Sequence, residues 1–196
     1  MAKECLTTCA VRRLRPAWPV AMLIAVCLGV TSLATQAARA EGESREYAIK
    51  AAFIYNFAQF TEWPADAFTD GAAPITIGVV GDDPFNGVLE RTVSGKSVGG
   101  RKFAIKHLAA ADDLGGCHIL FIASSAQGKA DDILKKVKDG HVMTISEFEQ
   151  FPAAGGVIRF FTEDNKIRFE INKESVQAAK LKLGSQLMRL ARVYKN

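Results

Sequence analysis

Along residues 44–61, Ile49, Ala52, Phe53, Asn56, Phe57 and Phe60 return every three or four positions. This spacing predicts an amphipathic helix with an aromatic-rich buried stripe, ended by Trp63-Pro64. Ile75–Val80 is a short apolar, partly β-branched run of the kind that forms a buried strand. After Gly81, the pair Asp82-Asp83 followed by Pro84 predicts a capped helix from Pro84 to about Val93. Further strands are expected at Lys102 to His107, at His118 to Ala123 and at Val142 to Ile145. The unbroken run Ile119-Leu120-Phe121-Ile122 suggests a strand covered on both faces. Ser124-Ser125 would cap a helix from about Ala126 to Lys138, stopped by Gly140.

Strand and helix alternate in this stretch, which predicts a parallel α/β core. The rhythm then changes. Val157 to Thr162 and Ile167 to Ile171 flank Asp164 and Asn165 and read as an antiparallel hairpin. Pairing Thr162 with Ile167 sets Phe160 against Phe169 and Ile158 against Ile171 on one side, with Phe161 against Arg168 and Arg159 against Glu170 on the other. The apolar side is expected to pack on a terminal helix from about Lys173 to Val193. That helix would bury Val176, Leu181, Leu183, Leu187 and Leu190 or a subset of them. The fold expected is a three-layer α/β sandwich with a mostly parallel central sheet and a C-terminal antiparallel hairpin.

The first 40 residues stand apart. Arg12, Arg13 and Arg15 precede an apolar stretch from about Val20 to Leu33, and Ala38-Arg39-Ala40 closes it with a small-x-small pattern. This is the order of a secretory signal peptide cleaved after Ala40, which leaves 41–196 as a single domain. Of the chain's 25 basic and 21 acidic residues, the segment carries five and one, so the remainder holds 20 of each and the net charge falls from +4 to zero. A nucleic-acid surface is therefore not expected, nor is insertion into a membrane after cleavage. Cys5, Cys9 and Cys27 leave with the segment, and Cys117 alone cannot form an intramolecular disulfide.

Lys50-Ala51-Ala52-Phe53-Ile54-Tyr55-Asn56-Phe57 with Glu62-Trp63-Pro64, Gly95-Lys96 to Leu108, Cys117 to Ile122, Gly155-Gly156-Val157-Ile158-Arg159-Phe160, Ile167-Arg168-Phe169-Glu170-Ile171-Asn172 and the closing Leu181 to Val193 together resemble the YfiR family of bacterial periplasmic proteins. The Tyr-Asn-Phe to Trp-Pro and Phe-Glu-Ile-Asn motifs are the specific ones. The resemblance implies a periplasmic regulator that binds the sensor domain of an inner-membrane diguanylate cyclase and represses it, lowering cyclic di-GMP output and biofilm formation. It also implies a fold similar to one lobe of a periplasmic binding protein. Better-known relatives carry a disulfide, so redox control of that kind does not transfer to a domain with Cys117 alone.

Searched for chemistry, the sequence offers little. His107, His118 and His141 sit at no metal-like spacing, so neither metal nor cofactor is expected. Cys117 enters a buried strand and reads as a small hydrophobe. Gly78-Val79-Val80-Gly81 opens toward a helix start, but Asp82 and Asp83 place negative charge where a phosphate would bind, so a cap is the simpler reading. With no serine elbow and no paired-carboxylate motif, the chain is expected not to be an enzyme. Partner contact is expected at Trp63 and at the hairpin charges Arg159, Arg168 and Glu170, and a homodimer is a further expectation. The alternative is a periplasmic module that binds a small solute at the strand ends.

Overall fold

The computed structural model describes residues 41–108 and 114–195. The expected signal peptide and its cysteines lie outside them. Helix α1 covers 41–59, and strand β1 (Thr61–Glu62) follows one residue later. Then come β2 (Ile75–Val80), α2 (Val88–Val93), β3 (Ser97–Val98), β4 (Arg101–Leu108), β5 (Ile119–Ile122), α3 (Ala130–Val137) and β6 (Met143–Ser146). The chain ends with β7 (Ile158–Glu163), β8 (Lys166–Ile171), α4 (Lys173–Ala178), β9 (Lys182–Leu183), α5 (Ser185–Leu190) and β10 (Arg192–Val193).

Eight strands form one sheet in the order β10-β8-β7-β6-β5-β2-β4-β3. From β4 to β7 every neighbouring pair is parallel, and β7 and β8 form the antiparallel hairpin. Its register is the one the pairing argument predicts, with Phe160 opposite Phe169 and Arg159 opposite Glu170. Asp164 and Asn165 both have positive φ (50° and 57°), the geometry of a tight hairpin whose twist matches its strands.

Two apolar clusters cover the sheet's faces, giving three layers. On one face Ile77, Val79, Ile119, Phe121, Ile145, Phe160 and Phe169 pack with Ile54 and Phe57 of α1, Leu89 of α2, Val176 of α4 and Leu187 of α5. On the other, Leu120, Ile122 and Val80 meet Ile133, Leu134 and Val137 of α3. Strand β5 divides its four side chains between the two clusters, as its continuous apolar run requires. Cys117 is buried in the second cluster. A Cβ on Gly78 would come within 2.9 Å of its Sγ and of Leu120 Cδ1, so the sheet needs glycine there.

Four expectations are corrected. Helix α2 begins at Val88 rather than Pro84, because Asn86 and Gly87 take left-handed φ while Asp83 Oδ1 accepts the Phe85 N–H (2.8 Å) in a local turn. That turn drives Phe85 into the core against Phe121, at 4.8 Å between ring centroids. Ser124 and Ser125 do not cap α3, since residues Ser124–Lys129 form a 3-10 turn before it. The single terminal helix is instead α4, β9, α5 and β10. Lys180 adopts φ 55°, and the Leu181 N–H reaches Val176 O while the Lys180 N–H reaches Gln177 O, which closes α4 as a Schellman motif. The hairpin's apolar side accordingly packs chiefly on α1, with Phe57 4.9 Å from Phe169 and 5.7 Å from Phe160 between ring centroids.

The fourth correction concerns α1 itself. Its buried face is Lys50, Ala51, Ile54, Phe57 and Ala58, whereas Ile49, Ala52, Asn56 and Phe60 of the expected stripe are exposed. Among the described residues, no helix is long and apolar enough to cross a membrane.

Candidate functional site

The rotated face of α1 creates the most distinctive surface. Ile49, Phe53, Asn56 and Phe60 follow one another at three- or four-residue spacing, so they share a side of the helix. Three large apolar side chains are exposed among the described residues: Ile49 (41%), Phe60 (37%) and Leu190 (69%). Phe60 and Leu190 flank a groove of about 230 Å³, lined also by Phe53, Phe57, Phe169 and Leu187. Its floor is rigid, because Phe53 and Phe57 are locked against the hairpin phenylalanines. The far wall is held in place by β9: Thr61 pairs with Leu183, and the Gly184 N–H donates to Phe60 O at 2.7 Å. The aromatic stripe of the sequence marks this face, although periodicity alone assigns it to the core.

Trp63 is half-buried against the α1-side cluster and stands edge-on to His118, 6.4 Å between centroids, with its Nε1 buried and without a hydrogen-bond partner. His118 is pinned at the N-terminal end of β5. The Thr76 N–H donates to its Nδ1 (3.1 Å), and its Nε2 donates to Ala67 O (3.1 Å), which fixes the neutral ring. Burial lowers its pKa most, and the Arg101 charge adds to this against the raising effect of the Ala67 bond.

The hairpin charges lie elsewhere. Arg159 pairs with Ser146 at the C-terminal end of β6, whereas His118 precedes the residue that pairs with Met143 at its start. The structure therefore does not bring Trp63 together with Arg159, Arg168 and Glu170. Nor are Arg159 and Glu170 a solvated ion pair: they meet at 2.5 Å with 15% and 8% of their side chains exposed. Arg168 is exposed. Phe161 lies under two guanidinium groups, those of Arg159 (5.3 Å) and Arg192 (4.3 Å).

A solute site at the strand ends would lie where the chain reverses direction in the sheet, between β2 and β5. At that crevice the turn after β2 meets Ser125. The Asp82 N–H donates to Ser125 Oγ (2.8 Å), and a Cβ on Gly81 would come within 2.6 Å of the same oxygen. Nearby, α1 is tied down over the end of β6: Lys50, 4% exposed, is bonded to Glu46 and to Glu147 (2.8 Å), and Tyr47 donates to Glu147 (3.1 Å). Burial, then the charge of Glu147, pushes the Tyr47 hydroxyl well above its ordinary pKa. Two open hollows of about 560 Å³ lie away from this crevice, one beside Ser94–Ser97 and Lys102, the other between α3 and α4.

No curated protein matches the chain. Among solved structures it is similar to a conserved domain protein from Vibrio cholerae O1 biovar El Tor strain N16961, at 9% identity and TM-score 0.47, over 62% of this chain and 55% of that one. It is also similar to an ABC domain from Streptococcus pneumonia solved in complex with L-Trp, at 8% identity and TM-score 0.44, over 65% of this chain and 57% of that one. The chain thus spans little more than half of either structure. The family model described as YfiR/HmsC-like matches residues 47–192, from α1 to β10, and the chain belongs to that family.

Proposed function

We propose that the protein is an exported periplasmic regulator that binds the sensor domain of an inner-membrane diguanylate cyclase and holds the enzyme inactive, lowering cyclic di-GMP output and biofilm formation. Membership of the YfiR/HmsC-like family supports a regulatory rather than catalytic role associated with such cyclases. One structural observation carries the contact: two of the three exposed large apolar side chains of the described domain, Phe60 at the α1 end and Leu190 of α5, flank the groove floored by Phe53, Phe57 and Phe169. Apolar side chains gathered in this way mark an interaction surface, and aromatic anchors beside a pocket dominate binding energy. Arg168 is exposed on the opposite side of the hairpin from Phe169 and lies outside this groove. Trp63 braces the N-terminal end of the sheet, and Arg159 with Glu170 holds the hairpin in shape.

The test is recovery of the protein, tagged at its C-terminus and expressed from its full reading frame, from solubilised membranes of its own organism. The expected companion is a diguanylate cyclase, with cyclic di-GMP rising when the regulator's gene is deleted. A deletion that leaves cyclic di-GMP unchanged, with no cyclase recovered, would sink the proposal. Stabilisation of the protein by a small solute in that case would favour the solute-binding alternative.

A further inference from the structure

Three elements converge on a cluster of ligating groups that chain spacing does not reveal. Strands β2 and β4 are parallel with Val79 opposite His107, so their C-terminal ends lie side by side. Asp83 stands three residues beyond the end of β2, and Glu90 lies in α2, which is anchored by the buried Leu89 and Val93. His107 Nε2 is 2.9 Å from Glu90 Oε1, and its Nδ1 is 3.8 Å from Asp83 Oδ2. One ligand atom from each of the three residues lies within 4.8 Å of the other two.

A second observation separates a metal site from a simple ion pair. Glu90 Oε2 is buried and has no hydrogen-bond partner. The hydrogen bond with His107 satisfies Oε1 yet leaves the second oxygen without a partner, on a side chain that is 39% exposed as a whole, and an unpartnered polar atom of this kind costs free energy. A cation held by both oxygens of Glu90 removes the cost. In a tetrahedral zinc site with bonds of about 2.0–2.2 Å, neighbouring ligand atoms are roughly 3.3–3.6 Å apart, so side-chain rotations of about 1 Å close the cluster.

We propose that Asp83, Glu90 and His107 form a binding site for a borderline divalent transition cation of the zinc type. One imidazole and two carboxylates suit such an ion better than Ca²⁺ or Mg²⁺, which prefer a shell of six or more oxygens. With Glu90 bidentate, the imidazole and the two carboxylates supply four ligand atoms, and water enters only as a fifth. The bound ion cross-links the turn after β2, helix α2 and strand β4. The site is independent of the proposed partner contact, which lies on α1 and α5.

The test uses the full-length protein with Cys5, Cys9 and Cys27 changed to serine, so that no thiolate from the first 40 residues takes the metal. It is stripped with a chelator and titrated with Zn²⁺ by calorimetry. The expected result is a single equivalent bound, with Kd rising roughly tenfold or more in His107→Ala, Glu90→Gln and Asp83→Asn. His141→Ala, which removes the described histidine beside Asp66, is expected to bind as the parent does. Circular dichroism confirms that each variant is folded. The site is refuted if the parent takes up no zinc, if His107→Ala binds as tightly as the parent, or if His141→Ala abolishes binding instead.

Discussion

Arg159 and Glu170 face each other across the β7–β8 hairpin, Nε to Oε1 at 2.5 Å, with both side chains largely withdrawn from water. Removing one partner of such a pair leaves the other charge buried without compensation. Glu170→Ala is therefore expected to destabilise the fold by about 3 kcal/mol, measured by urea unfolding. The double variant Arg159→Met, Glu170→Leu should recover much of that loss. A loss within about 0.5 kcal/mol for the single variant would mean the pair is effectively solvated.

Phe169 sits beneath α1, 4.9 Å from Phe57 and 5.4 Å from Phe53 between ring centroids. Truncation to alanine removes a buried ring at the point where helix and hairpin meet, so Phe169→Ala should cost roughly 3–5 kcal/mol in equilibrium unfolding. A cost below about 1 kcal/mol would contradict the packing described for the hairpin.

Leu190 is the counter-case, because its side chain is exposed on the rim of the groove. Leu190→Asp is expected to change stability by no more than about 0.5 kcal/mol. In the same variant, recovery of the membrane partner should fall roughly tenfold. Undiminished recovery would place the contact elsewhere on the domain.

Gly78 lies in β2 where the sheet meets Cys117 and Leu120. Gly78→Ala should overpack that cluster and cost about 1–3 kcal/mol. Combining it with Cys117→Ala, which removes the sulfur a new Cβ would strike, should cost less than the sum of the two single changes. Strict additivity in the four unfolding curves would argue that the clash is relieved by backbone movement.

His118 makes stability depend on pH. Its pKa in the folded protein is lowered, above all by burial. As pH falls through the ordinary histidine value of about 6.5, the unfolded chain takes up a proton that folded His118 resists. Its contribution is therefore neutral above that value and increasingly destabilising below it, down to the lowered folded pKa. The urea midpoint should drop between about pH 7.5 and pH 5.5, with a shallower slope in His118→Gln. An unchanged slope would assign the acid sensitivity to other groups.

The parts of this protein whose physics is local are legible in its amino-acid sequence. The hairpin register follows from alternation, since a slip of one residue in β7 would turn Phe160 away from Phe169 and set Arg159 on the apolar side in its place. Strands β2 and β5 followed from apolar runs that only a strand covered on both faces can bury. Tertiary structure decided the rest. Helix α1 is apolar on more than one side, so periodicity marked a helix without choosing its inner face. The choice fell to the small Ala51 and Ala58 against the sheet and to Lys50 reaching Glu147, almost 100 residues away. The C-terminal segment had enough apolar residues for one long helix, and a left-handed turn at Lys180, which no residue type announces, broke it so that β9 could pair with β1. His107 meets Glu90 across 17 residues of chain for the same reason: parallel strands bring their ends together only through the crossovers between them.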